Sequence, residues 1–354
     1  MNAVRIIAVA GARIAALLVS IACAQANAEP TLQQVKLSQG YTFPLYANHS
    51  FDEDLSTIEA VVFVFHGARR DGDAYYAAAE KLAQDGHVDL QKTLIVAPNF
   101  FDTEDVAKHP ELTDVPLWKG ASWEEGAVAA MGPTVSSFAV IDDLLSALSD
   151  RKRLPKLSRI VIAGHSGGGQ VVDRYAVLNH VDARLTAQGI SISYVIANPS
   201  SYLYFTPDRP AGDRFAPYSV ATCPAYDRYK FGMHDLVPYA AGVTASDAFK
   251  TFSARTVYFL WGTADTDPNH PALDKSCSAE AQGPARYARG HAYWRYLHLM
   301  AKETALSGFH AFDVEGVGHD QSHMLGSSCG SRLLFGDLPA IEGAARCTAV
   351  EPSS

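Results

Sequence analysis

Residues 161–170 read VIAGHSGGGQ, and this stretch limits the fold more than any other. An apolar run ends at Ala163; Gly164, His165, Ser166, Gly167 and Gly168 follow, and a helical pattern begins at Gln170. A chain that turns sharply from strand into helix crowds the backbone around the bend, so the positions two before and two after must be small. The residue at the bend is then left accessible at a helix N-terminus, where N–H groups face any developing negative charge. The spacing G-x-S-x-G in this context predicts a strand, an activated serine at position 166 and a helix. A glycine-rich packing turn is the bland alternative.

The rest of the chain alternates in the same way, which predicts an α/β fold. Ala60–Phe65 is a continuous apolar run of the kind found in buried parallel strands. Strands are also expected within 35–46 and at 93–97, 158–163, 190–197, 256–261 and 310–314. Helices are expected at 73–84, from Phe138 to Leu148, at 170–179 and at 289–306. Residues 199–250 break the rhythm with no clear strand but many aromatics, among them Tyr202, Tyr204, Phe205, Tyr226 and Tyr229. An excursion this long reads as a lid or binding insertion, or else as a satellite cluster covering the sheet. The chain is read as one domain over 29–354.

The first 28 residues are set apart. Arg5 and Arg13 precede or flank an apolar run over 14–22, and Ala26-Asn27-Ala28 is a small-x-small cleavage signal. That is the layout of a secretory signal peptide cut after Ala28, with a lipid-anchored Cys23 as a weaker alternative. A periplasmic or secreted protein follows, and no later segment is apolar enough for stable membrane insertion. Losing the two arginines moves the formal net charge from −9 to −11. No basic stripe remains to neutralise phosphates, which argues against a nucleic-acid partner. Cys223, Cys277, Cys329 and Cys347 remain, an even count that favours two disulfides in an exported chain. Of the three pairings, Cys223–Cys277 would staple the insertion and Cys329–Cys347 would tie down the C-terminal tail.

A serine hydroxyl is a poor nucleophile near neutrality; it needs a base, and the base needs an orienting acid. In a strand–serine–helix architecture both follow in the order acid, then histidine. Past the strand ending at Trp261 lies Gly262-Thr263-Ala264-Asp265-Thr266-Asp267-Pro268, where Asp265 is the candidate acid and Asp267 its competitor. Past the last strand lies Gly316-Val317-Gly318-His319-Asp320-Gln321-Ser322-His323, where His319 is the candidate base and His323 its rival. The spacing of the two histidines suggests zinc only weakly, because Asp320 stands where a metalloprotease needs Glu and no third ligand follows; no metal site is expected. The oxyanion donors are expected to be the N–H of Gly167 and, on the loop His66-Gly67-Ala68-Arg69-Arg70, that of Ala68. His66 reads as a pocket or buttress residue. Trp118, Trp123, Gln170 and Tyr202 are possible pocket residues, the tryptophans equally at home in the core. Arg69 and Arg70 read as solvated loop charges, or as a greeting for a substrate carboxylate.

Taken in order, His66-Gly67, Gly164-His165-Ser166-Gly167-Gly168, Gly262 to Asp265 and Gly318-His319 resemble the α/β-hydrolase superfamily over roughly residues 61–325. The resemblance implies a mostly parallel sheet flanked by helices, a lid inserted after the strand ending at Ala197, and a nucleophilic serine. Arg69-Arg70 departs from the further glycines of many secreted lipases. The expected activity is hydrolysis of carboxylic esters, small or polymer-derived, through an acyl-enzyme, with no cofactor. Amide or peptide cleavage and carbon–carbon (β-diketone) hydrolysis are alternatives on the same triad, and a non-catalytic binding module is a further one.

Overall fold

The computed structural model describes residues 30–301 and 306–351; the expected signal peptide lies outside them. Nine strands form one sheet: β1 (Gln33–Lys36), β2 (Thr42–Ala47), β3 (Ala60–Phe65), β4 (Thr93–Pro98), β5 (Arg159–His165), β6 (Ser191–Ala197), β9 (Thr256–Gly262), β10 (Phe309–Val314) and β11 (Cys347–Ala349). Their order across the sheet is β1-β2-β4-β3-β5-β6-β9-β10-β11. The run from β4 to β10 is parallel, and antiparallel strands close both edges. The two remaining strands, β7 (Asp208–Ala211) and β8 (Arg214–Pro217), form a separate hairpin.

Period-two alternation builds a layer on each face. Val61, Phe63 and Phe65 of β3 join one core with side chains of α2 (Ser137–Leu148), α3 (Gly167–Leu178), α5 (Ala245–Ser253) and α7 (Arg286–Ala301). Val62 and Val64 join the other with α1 (Gly72–Asp85), α8 (Gln321–Leu325) and α9 (Gly330–Phe335). Two short helices, α4 (Asp182–Ala187) and α6 (Cys277–Glu280), complete the described set. Helix α3 is buried along its whole length, and its polar side chains Gln170, Asp173 and Arg174 find partners inside the protein: Gln170 and Arg174 bond Glu124, and Asp173 accepts from Leu203 N–H.

The order of the central strands decides where chemistry can occur. From β3 the chain goes to β4 on one side and then returns to β5 on the other. The loops leaving β3 and β5 therefore diverge and open a crevice at the carboxyl ends of the strands. Pairing of Phe65 with Gly164 puts His66 to Ala68 directly beside Ser166. At the far side of the crevice, pairing of Val314 with Gly262 brings together the loops after β9 and β10.

The stretch 199–250 is less bare than its sequence suggests. It holds the β7–β8 hairpin and α5, and Tyr202, Leu203, Tyr204 and Phe205 are at most 4% exposed. Disulfides join Cys223 to Cys277 and Cys329 to Cys347, the pairing favoured from the sequence. The first links this segment to the start of α6; the second links the residue just before α9 to β11. No helix among the described residues is long and apolar enough to cross a membrane.

Candidate active site

Ser166 sits between β5 and α3 with φ 60° and ψ −119°, a left-handed backbone that costs energy in any residue with a Cβ. The turn is possible because its neighbours lack side chains. A Cβ on Gly164 would stand 2.3 Å from Gly168 O, and one on Gly168 would stand 2.1 Å from Phe65 O. The strain is held by Ser166 N–H donating to Ala197 O at 3.0 Å and by Gln170 N–H donating to Ser166 O at 3.0 Å.

Three side chains from three loops meet here. Ser166 Oγ lies 2.8 Å from His319 Nε2, and His319 Nδ1 lies 2.8 Å from Asp265 Oδ2. A carboxylate can only accept, so Nδ1 carries the imidazole proton and Nε2 offers its lone pair to the serine hydroxyl. Two features bind the acid loop to the base loop: Ala264 N–H donates to Val317 O at 2.9 Å, and Asn198 bridges Gly262 N and Gly318 O through its amide. In the sequence Asn198 shows nothing beyond its place between a strand and Pro199. The rival residues do other work. Asp267 caps a turn through Asn269 N–H, and His323 is solvent-facing beside Asp320.

Asp265 is 3% exposed, and on its other side lies the fully buried guanidinium of Arg286, 3.2 Å from Oδ1. Arg286 also donates to Ser200 Oγ and Ala272 O. Burial alone would raise the Asp265 carboxyl, but the His319 hydrogen bond and the Arg286 charge hold it below the ordinary range. His319 is pushed below its usual 6.5 by burial, and the Arg286 charge adds to this against the pull of Asp265. Arg286 carried no motif; a lone arginine at the start of a helix looks the same whether it is solvated or buried.

The loop after β3 lies against the serine. The N–H groups of Gly167 and Ala68 have no protein acceptor among the described residues. His66 is completely buried: its Nε2 accepts from Phe100 N–H at 2.9 Å, so its Nδ1–H donates to Gly67 O at 2.9 Å. Burial pushes its pKa down to about 4, leaving a neutral ring that braces the loop. Arg70 is not a solvated charge; it grips Asp105 with two bonds of 2.7 and 3.1 Å and anchors the other end of the loop. Arg69 is exposed at the cleft.

A cleft of about 430 Å³ opens above Ser166 and His319, rimmed by Arg69, Asp71, Tyr75, His270, Ala272 and Asp320. None of the five residues considered for its wall lines it, and no residue of 199–250 does. His66 is the buttress just described. Trp118 and Trp123 are at most 1% exposed; Trp118 donates to Ala127 O, and Trp123 stacks on Phe100 with centroids 5.3 Å apart. Tyr202 accepts from Trp261 Nε1 and stacks on Tyr293. Gln170 points from α3 toward Glu124. The aromatic rings among them pack in the core rather than along the cleft.

Comparison of the sequence with protein-family models and with curated proteins finds no match. Solved structures do match. A poly(3-hydroxybutyrate) depolymerase, LpqC, from Bordetella parapertussis superposes with a TM-score of 0.61 at 23% identity, covering 88% of this chain and 92% of that one. Poly(aspartic acid) hydrolase-1 from Sphingomonas sp. KT-1 gives a TM-score of 0.58 at 22% identity, covering 87% of this chain and 100% of that one. The chain has the α/β-hydrolase fold.

Proposed function

We propose that this chain is an exported serine hydrolase of carboxylic esters. The observation that carries the reading is the unbroken relay from Ser166 Oγ through His319 to Asp265, at 2.8 Å on each side of the ring. His319 Nε2 takes the serine proton as Oγ attacks the ester carbonyl. The carbonyl oxygen gains negative charge beside the free N–H groups of Gly167 and Ala68; donors of this kind are each worth on the order of 10²–10³ in rate. The tetrahedral intermediate collapses as His319 returns its proton to the leaving alkoxide. A water activated by the same imidazole then releases the acid, while Asp265 keeps the ring in the right tautomer and stabilises its charged form. No step requires a cofactor.

The cleft above the serine is rimmed by Arg69, Asp71, His270 and Asp320, and it suits an ester of a small molecule or of a polymer-derived chain. The two structural neighbours are a depolymerase and a polymer hydrolase by name. Export is supported by the two disulfides, which persist in oxidising compartments.

The test is hydrolysis of short-chain 4-nitrophenyl esters as a function of pH. Only neutral His319 can act as base, and its pKa lies below 6.5, so kcat/KM should rise with pH along an acid limb centred below that value. Absence of ester turnover, or an acid limb centred well above 6.5, would contradict the reading.

A further inference from the structure

Glu124 is a buried carboxyl that the relay does not use, yet it lies at the oxyanion side of the nucleophile. It sits on the 3-10 turn Gly120–Glu125 and is 3% exposed. A Cβ built on Gly167 would stand 2.6 Å from Glu124 Oε1 and 3.2 Å from Ala68 N. Glu124 Oε1 and the free N–H of Ala68 therefore both lie beside the Cα of Gly167, whose own N–H is also free.

The surroundings fix which oxygen faces that space. Gln170 Oε1 accepts from Arg174 at 3.1 Å and from Ser201 Oγ at 2.8 Å, so the Gln170 amide must turn its NH₂ the other way. That NH₂ donates to Glu124 Oε2 at 2.7 Å. Arg174 also donates to Glu124 O, and Tyr229 Oη donates to Glu125 O, which clamps the turn from behind. Oε2 is thus occupied as an acceptor, and Oε1 is left facing Gly167. A bare carboxylate oxygen there would repel the oxyanion that Gly167 and Ala68 are placed to hold. A protonated Oε1 would instead be a donor to it.

Resting on the serine-hydrolase reading, we propose that Glu124 works as a neutral carboxylic acid whose Oε1–H is a third donor to the carbonyl oxygen, beside the N–H groups of Gly167 and Ala68. The proton stays on Glu124 throughout; only the hydrogen bond strengthens as the oxyanion forms. Burial raises the Glu124 carboxyl above its ordinary value. Lys230 and Arg174 oppose the rise, and the charges of Glu125 and Asp274 add to it. Lys230 is itself engaged by Glu125 at 3.0 Å.

The experiment is the pH profile of kcat and KM for a neutral 4-nitrophenyl ester with wild type, Glu124→Gln and Glu124→Leu. Wild type should show a descending alkaline limb as Glu124 ionises, in addition to the acid limb of His319. Glu124→Gln carries a donor that cannot ionise, so the descending limb should vanish. Its kcat/KM relative to wild type should then climb about tenfold per pH unit above the Glu124 pKa. Glu124→Leu should lower kcat on the order of 10²-fold with KM within a few-fold. A wild-type profile with no descending limb that matches Glu124→Gln would overturn the proposal, as would an unimpaired Glu124→Leu. Should Leu prevent folding, the Gln profile alone decides. Wild-type turnover that disappears in Ser166→Ala supports the underlying reading whatever Glu124 does; no wild-type turnover at all would sink both.

Discussion

Ser166→Ala should lower kcat for ester hydrolysis by about 10⁵–10⁶-fold while changing KM little. The substitution removes only the attacking atom. The N–H groups of Gly167 and Ala68 proposed to hold the oxyanion, the cleft rim and the backbone turn remain, so substrate should still bind and a weak residual rate should persist. The fold should tolerate it well. Alanine keeps the Cβ at a position with φ 60°, so the strain is unchanged, and the hydroxyl that is lost donates to His319 alone in the relay. Because the three groups act as a unit, adding His319→Ala to Ser166→Ala should cause almost no further loss. Initial rates at high enzyme concentration, with circular dichroism to verify folding, check both expectations. A double variant far slower than Ser166→Ala would show that His319 acts outside the serine relay.

Arg286→Met should be strongly damaging although it lies outside the three reacting groups. It leaves Asp265 Oδ1 buried without its cation and frees Ser200 Oγ and the Ala272 carbonyl. Breaking one side of a buried ion pair costs about 3–5 kcal/mol, a large share of the stability of an ordinary domain. Urea unfolding reads this loss directly. The kinetic consequence has a definite sign. The Arg286 charge lowers the pKa of His319, so removing it favours the imidazolium and must move the acid limb of kcat/KM to higher pH. Lower kcat should accompany it, because the Asp265 carboxylate loses one of the two partners that fix its plane. A purely structural arginine would reduce stability and leave the acid limb in place.

The parts of this protein legible in its sequence are those where covalent geometry leaves few choices. The turn at Ser166 demands glycine at 164 and 168, because backbone carbonyls lie where side chains would be. β3 and β9 stand out because strands buried on both faces must be apolar throughout. Asp265 and His319 were found by chain order and by their place just past a strand, and the structure brings both to Ser166. What supports these groups was invisible. Glu124, Arg174 and Arg286 are charged residues that look solvated in any local window; only the packing of distant segments buries them. The aromatic segment at 199–250 could be read from sequence as an insertion or a satellite cluster, for a related reason. Aromatics signal burial but not against what, and Tyr202 and Tyr204 pack against Tyr293 and Tyr296 of α7 rather than along the cleft. The β7–β8 hairpin and α8 were missed because four- and five-residue elements are too short to show a period.

The central claim is that Ser166 is an activated nucleophile, and one measurement addresses it most directly: intact-mass analysis after exposure to a fluorophosphonate, for wild type and Ser166→Ala side by side. The account predicts a single phosphonyl adduct on wild type and none on the variant. Folded wild type that stays unmodified, or a variant that still takes up the label, would contradict it.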